Sequence, residues 1–71
     1  MASTLRAVLG NRIKELRRKR GWRQIDLAAH ADLSKTHVCE VETGKREIGL
    51  EALKRIADAL EVSLSGLLKG L

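Results

Sequence analysis

The sequence predicts an all-α protein of five helices in a single domain, residues 1–71. Three observations support this prediction. The 71 residues include no Pro, Phe or Tyr, and residues with good helix propensity dominate. Apolar residues recur at helical spacing along most of the chain. A pair of short helices joined by a tight turn is predicted near the middle. A chain this short buries only about 60% of its unfolded surface, so oligomerisation would add needed stability.

The first helix is predicted to start at Ser3 or Thr4 as its cap and to end at about Arg20, where Gly21 stops it. Its inward face is expected to consist of Leu5, Leu9, Ile13 and Leu16. Basic residues crowd the last turn and complement the helix dipole: Arg17, Arg18, Lys19 and Arg20. Trp22 is expected to fill the core beside the Gly21 turn.

The second and third helices are predicted within about 24–42. The second helix runs to about His30, with an inward face of Leu27, Ala28 and Ala31. Asp32 tolerates the left-handed conformation that ends a helix, and Ser34 is a strong cap for a helix starting at Lys35. Val38 and Val41 then point inward, and four residues face outward: Lys35, Thr36, His37 and Glu40. Two helices joined this tightly form a helix-turn-helix, whose second helix enters the major groove of DNA.

Two further helices are predicted after Gly44 and the loop 45–47, at about 50–60 and from Ser63 to about Lys69. The inward face of the fourth helix is expected to be Leu50, Leu53, Ile56, Ala57 and Leu60. The C-terminal region, about 50–69, carries more apolar residues than a small core needs, which predicts a dimer face. Its candidates are Ile48, Leu50, Leu64, Leu67, Leu68 and Leu71. The alternative is that these residues, Leu67 and Leu68 above all, close the core.

The run GWRQIDLAAHADLSKTHVCEVETGKREIGLEALKRIADALEVSLSGLL resembles the Cro and phage-repressor (XRE) type of helix-turn-helix regulator. Within that family it is most similar to the controller proteins of restriction-modification systems. The similarity covers about residues 9–68, and its landmarks include Arg17, Gln24, Ser34, Glu42 and Gly44. The resemblance implies a lambda-repressor-like fold and a homodimeric, sequence-specific regulator of transcription, with autoregulation as the favoured role. Antitoxin-type and phage-type repression are the alternatives within this class.

The resemblance assigns base reading to the first turn of the third helix, by Lys35, Thr36 and His37, with Glu40 one turn further on. Lys35 can donate to guanine, and Thr36 can pack its methyl group against thymine. His37 stands where controller proteins have an aromatic residue. Glu40 can accept from cytosine but is repelled by phosphate, so it is either a base reader or a specificity filter.

The DNA backbone is assigned to residues at the ends of the two central helices: Arg23, Gln24, Ser34, Thr43, Lys45 and Arg46. Gln24 matches the anchoring Gln of the family, whereas Arg23 stands where the family often has Ser or Thr. The alternative for Lys45 and Arg46 is a solvated loop. The family's buried Arg–Glu pair falls on Arg17 and Glu42, which implies a structural role for both.

The formal net charge of +5 suits an anionic partner, but the charge is unevenly distributed. Residues 1–23 hold eight basic and one acidic residue, whereas residues 24–47 hold three basic and five acidic residues. The third helix is therefore not itself a basic stripe. Binding must depend on helix ends, the loop after the third helix and flanking cations.

The expected partners are double-stranded DNA, a second copy of the chain and, at a promoter, RNA polymerase. No cofactor, metal site or catalytic site is predicted, because no nucleophile and base stand at an interpretable spacing. Cys39 is interpreted as a small filler, with a redox switch as the lesser alternative. The absence of a secretory core or membrane-length apolar run predicts a cytoplasmic protein. The competing function is a helix-turn-helix adaptor or antitoxin-type module that binds a protein.

Overall fold

The computed structural model describes residues 4–71, and all regular structure in that range is helical. The five helices are α1 (Thr4–Lys19), α2 (Gln24–Ala31), α3 (Lys35–Glu42), α4 (Leu50–Ala59) and α5 (Leu64–Leu68). This confirms the predicted all-α class and the number of helices. Thr4 is the first residue of α1, and the alternative cap Ser3 lies outside the described residues. None of the helices described is long and apolar enough to cross a membrane.

The helices surround one hydrophobic core to which each of them contributes. Helix α2 packs against α3 and α4, α1 packs against α3 and α5, and α4 packs against α5. The largest fully buried side chains are those of Ile13, Leu27, Val38, Ile56 and Leu67. Because both α1 and α2 contact α3, the third helix is held from two sides with one face left outward.

Two of the predicted inward residues are exposed. Leu5 is 60% exposed and Leu50 is 73% exposed, so their assignment to the core was wrong. Leu5 lies in the first turn of α1, and Leu50 is the first residue of α4. Helical periodicity identifies the inward face of a helix, but it does not show how far the neighbouring helices extend along that face.

Helices α1 and α3 approach closely at Gly10. A Cβ atom at this position would lie 2.3 Å from the carbonyl oxygen of Val41 and 2.7 Å from that of Glu42. Only glycine permits this approach of a helix to the backbone of its neighbour. Further along, Gly44 follows the C-terminal end of α3 and has a positive φ of 75°. It also lies against α1, because a Cβ atom added there would be 3.1 Å from the Cα atom of Ala7. The C-terminal end of α3 is thus seated directly on α1.

Long polar side chains fix the outer parts of the bundle. Arg12 of α1 donates to the carbonyl oxygen of Leu67 at 3.0 Å and also bonds the carbonyl of Lys69, which ties α5 to α1. Trp22 is half-buried against the core, as expected, and it stacks on His30 with ring centroids 4.3 Å apart. The guanidinium of Arg20 lies over the Trp22 ring and pairs with Glu61 at 2.7 Å.

Candidate nucleic-acid interface

The turn between α2 and α3 is built from local backbone chemistry. Asp32 adopts the left-handed conformation with φ 57° and ψ 47°, and Leu33 N–H donates to the Ala28 carbonyl at 2.9 Å. Ser34 then caps α3, because its hydroxyl oxygen accepts from His37 N–H at 3.0 Å. Short polar residues satisfy helix ends in this way where apolar residues cannot. Helix α3 therefore begins directly after the turn and at a fixed angle to α2.

The side chains of α3 divide into a buried and an outward set. Val38 and Val41 are buried, as predicted. Lys35 and Thr36 are exposed, and His37 and Glu40 are half-exposed. The first turn of α3 thus offers an ammonium, a hydroxyl and an imidazole to a partner. These are groups that can read base edges in a major groove.

Arg23 precedes α2 but does not cap it with its side chain, and the carboxylate of Asp26 instead binds the backbone at this end of the helix. Arg23 N–H donates to Asp26 Oδ2 at 2.7 Å, and the Arg23 guanidinium bonds both Asp26 oxygens at 3.2 and 3.3 Å. The side-chain and then the backbone hydrogen bonds from Arg23 lower the pKa of Asp26, and the same contact raises the pKa of Arg23. The Arg23 side chain is nevertheless 81% exposed, so it stays accessible to phosphate.

A buried network joins α1, α2 and α3. Arg17 forms a bidentate pair with Glu42, with Nε to Oε2 at 2.7 Å and Nη2 to Oε1 at 3.0 Å, and its Nη1 donates to the Trp22 carbonyl at 2.7 Å. Glu42 Oε1 also accepts from Gln24 Nε2 at 3.1 Å. The carboxylate thereby accepts three hydrogen bonds from two side chains and fixes the half-buried Gln24 amide at the start of α2. The Gln24 amide is therefore held in one orientation.

The end of α3 carries two features that change the expected backbone contacts. The Thr43 hydroxyl donates to the carbonyl oxygens of Cys39 at 2.9 Å and Glu40 at 3.3 Å, while Thr43 N–H bonds the Cys39 carbonyl. The hydroxyl has one proton, so donating it to a phosphate would give up its contacts with both carbonyl oxygens. Arg46 Nε lies 2.9 Å from Glu40 Oε1, so the loop after α3 is paired with the helix it follows. Lys45 is exposed.

Comparison with known proteins identifies the family. A helix-turn-helix family model matches residues 13–67 of the chain. The chain belongs to this helix-turn-helix family. It is 39% identical over 59 residues to the control protein C.MunI of Mycoplasma sp, covering 82% of this chain and 80% of that protein. It is 30% identical over 69 residues to the control protein C.BamHI of Bacillus amyloliquefaciens, covering 96% and 85% of the two chains.

The fold agrees with this family. The restriction-modification controller protein C.AhdI of Aeromonas hydrophila superposes with a TM-score of 0.84 and 33% sequence identity, covering 86% of this chain and 92% of that chain. The family model, the similar sequences and the shared fold all indicate the same function as the exposed polar side chains of α3, which is DNA binding. The chain is a DNA-binding regulator of transcription, as the sequence predicted.

The candidate dimer face of this helix-turn-helix protein is smaller than predicted. Leu67 is fully buried within one chain, so its assignment to the face was wrong and the alternative, a core role, applies. Ile48 and Leu64 are half-buried and pack against the core. Leu50, Leu68 and Leu71 remain exposed. Leu67 and Leu68 are adjacent in α5, and the packing of α5 on α1 and α4 determines that Leu67 is the buried one.

The sequence analysis missed three contacts that shape this helix-turn-helix. They are the close approach at Gly10, the attachment of α5 by Arg12 and the pairing of Glu40 with Arg46. A glycine inside an otherwise regular helix was a usable signal for the first. No sequence pattern pointed to the other two. Cys39 is half-buried, and no group of three or more potential metal ligands occurs among residues 4–71.

Proposed function

We propose that this regulator binds double-stranded DNA as a homodimer on two half-sites and controls transcription of nearby genes, its own included. The observation that carries the proposal is the outward first turn of α3, with Lys35 and Thr36 exposed and the turn fixed by the Ser34 cap. The similarity to control proteins supports a regulatory role of the same kind.

The proposed contacts follow from the chemistry of each side chain. Lys35, Thr36 and His37 meet base edges, because the start of a recognition helix is the part that reaches deepest into the groove. Gln24 donates to a phosphate with Glu42 holding its amide in place, and the amide groups at the start of α2 add further donors. Arg23 and Lys45 contribute exposed cations on either side.

The dimer is proposed from the exposed apolar residues at the C-terminal side. Leu50, Leu68 and Leu71 are exposed on a domain whose core is small. Burying them against a second copy would offset this exposure and stabilise both copies. The two α3 helices must then enter successive major grooves, about 34 Å apart along the DNA. Whether half-sites overlap a promoter or lie upstream of it decides between blocking RNA polymerase and recruiting it.

Selection of bound fragments from the source genome, followed by footprinting of the best fragment, tests this function. We expect a protected site with two-fold symmetry upstream of the reading frame that encodes the protein. Binding that is weak, salt-sensitive and indifferent to sequence would instead support a protein-binding adaptor.

Two variants test the division between base and backbone contacts on the selected fragment. Lys35→Ala should weaken binding by about 1–3 kcal/mol and relax the preference at one base position. Lys45→Ala should weaken binding to all sequences alike. It should also reduce the slope of log K against log salt concentration by about one. Lys54→Ala removes an exposed cation on α4 and serves as the control. If Lys35→Ala and Lys45→Ala weakened binding equally and to all sequences alike, base reading by the first turn of α3 would be contradicted.

A further inference from the structure

Glu40 places a negative charge close to the proposed base readers. It lies on the outward side of α3, half-exposed, one turn beyond the proposed base readers. A carboxylate facing DNA is repelled by phosphate, so an isolated Glu40 would oppose binding. Its Oε1 atom is buried from solvent and accepts no hydrogen bond from the described residues. The Arg46 guanidinium lies against this atom, with Nε at 2.9 Å.

The geometry leaves most of the Arg46 guanidinium available for another ligand. A guanidinium has five N–H groups in one plane, and the contact with Glu40 uses the edge at Nε. The two terminal nitrogens carry the other four N–H groups and can form a bidentate contact with a phosphate. Half of the Arg46 side chain is exposed, so this edge is accessible.

We propose that Glu40 is a positioning residue that holds Arg46 for contact with a DNA phosphate, and not a base reader. Arg46 lies in the loop after α3, where an unrestrained side chain would sample many rotamers. The pair fixes the guanidinium beside the recognition helix and neutralises the Glu40 charge at the same time. This inference rests on the proposed DNA-binding function and names the role of one residue within it.

A double-mutant cycle on DNA binding tests the coupling between the two residues. The proteins are wild type, Glu40→Ala, Arg46→Ala and the double variant, and the probe is a duplex that wild type selects from a random-sequence library. We expect Glu40→Ala to weaken binding by about twofold to fivefold, the range for coupling in a partly exposed ion pair. This sign is opposite to that expected from removing a negative charge near DNA. In the Arg46→Ala background the same change should cause no loss.

Two further readouts separate positioning from a structural effect. Glu40→Ala and Arg46→Ala should each reduce the magnitude of the slope of log K against log salt concentration by about 0.9, the value for one lost phosphate contact. Glu40→Gln keeps the shape of the side chain but removes the charge that attracts Arg46, and Glu40 Oε1 accepts no hydrogen bond that an amide could retain, so this variant should weaken binding as Glu40→Ala does. Asp58→Ala is the matched control, because it also removes one carboxylate from an exposed pair, with Lys54, but on α4. It should not weaken binding.

Several results would overturn the inference. Equal tightening by Glu40→Ala and Glu40→Gln would show that Glu40 only repels DNA. A changed base preference for Glu40→Ala that persists in the Arg46→Ala background would show that Glu40 reads a base. If wild type selects a duplex and all four proteins of the cycle bind it equally, this inference fails while the proposed function stands. If wild type selects no duplex, the proposed function fails and the inference with it.

Discussion

Two glutamates two residues apart on α3 form ion pairs of similar length in opposite environments. Glu42 meets Arg17 at 2.7 Å with 1% of its side chain exposed, whereas Glu40 meets Arg46 at 2.9 Å with 37% exposed. Glu42 faces inward between α1 and α2, and Glu40 faces the side proposed to contact DNA. Similar distances therefore correspond to different energies, because a buried charge has lost its hydration and an exposed one has not.

The comparison shows how one short helix serves both the fold and the interface. The inward glutamate accepts from Arg17 and Gln24 and thereby connects three helices. The outward glutamate connects α3 to its own following loop. The first pair should govern stability and the second should govern binding. Each of the following experiments tests this separation, beginning with the largest expected effect.

Glu42→Ala should destabilise the protein by about 3–5 kcal/mol, because it leaves the Arg17 guanidinium buried without its carboxylate. For a domain of this size such a loss approaches the whole free energy of unfolding. Urea unfolding followed by circular dichroism measures it. Glu40→Ala is the matched control on the same helix and should cost less than about 1 kcal/mol. Similar losses for the two variants would remove the distinction between the pairs.

Gly10→Ala should destabilise by about 1–3 kcal/mol, because the added methyl group would overlap the carbonyl oxygens of Val41 and Glu42. The helices must separate to relieve the overlap, which also disturbs the Arg17–Glu42 pair. Thermal unfolding measures the effect. Asn11→Ala, at the exposed neighbouring position in α1, gives helix propensity without a new contact and should be neutral or stabilising. If Gly10→Ala is stabilising too, α1 and α3 do not meet as closely as described.

Ser34→Ala should destabilise by about 1 kcal/mol, because His37 N–H loses the hydroxyl that caps α3. Ser34→Gly should cost only a few tenths of a kcal/mol, since glycine is tolerated at a helix cap. Neither change touches the two glutamates directly. Amide hydrogen exchange should show faster opening of the first turn of α3 in Ser34→Ala than in Ser34→Gly. Equal rates of amide hydrogen exchange in these two variants would show that the Ser34 cap does not order the first turn of α3.

The smallest effect is expected from the exposed pair of Arg23 with Asp26. The Arg23 hydrogen bonds lower the pKa of Asp26 in the folded state, so this carboxylate stabilises the fold above its unfolded pKa of about 3.9. The contribution is lost as the pH falls below that value. The difference in Tm between wild type and Asp26→Asn should therefore shrink from pH 5 to pH 2, and added salt should reduce it. A difference that is constant across this range would contradict the pKa shift.

The features predicted from sequence are those that depend on neighbours within one or two turns of helix. Caps and stops such as Ser34, Asp32 and Gly44 act on backbone groups three to five residues away, so their positions mark the helix ends directly. Apolar spacing likewise assigned Leu27 and Val38 to the core. The outward side of α3 followed from the same spacing. The Arg17–Glu42 pair, which joins residues 25 apart, came from the family resemblance and not from periodicity.

The features that the sequence did not reveal depend on distances between separate elements. Helical spacing assigned Leu5 and Leu50 to the core, yet both are exposed, whereas the dimer-face candidate Leu67 is buried, because burial requires a neighbouring helix at that level. The reach of Arg12 to α5 and of Arg46 back to Glu40 depends on how the helices and loops are placed. Local hydrogen bonding and helical periodicity thus determined the helices and the recognition turn. Tertiary packing decided which charges of different elements meet, because it alone brings such residues within bonding distance.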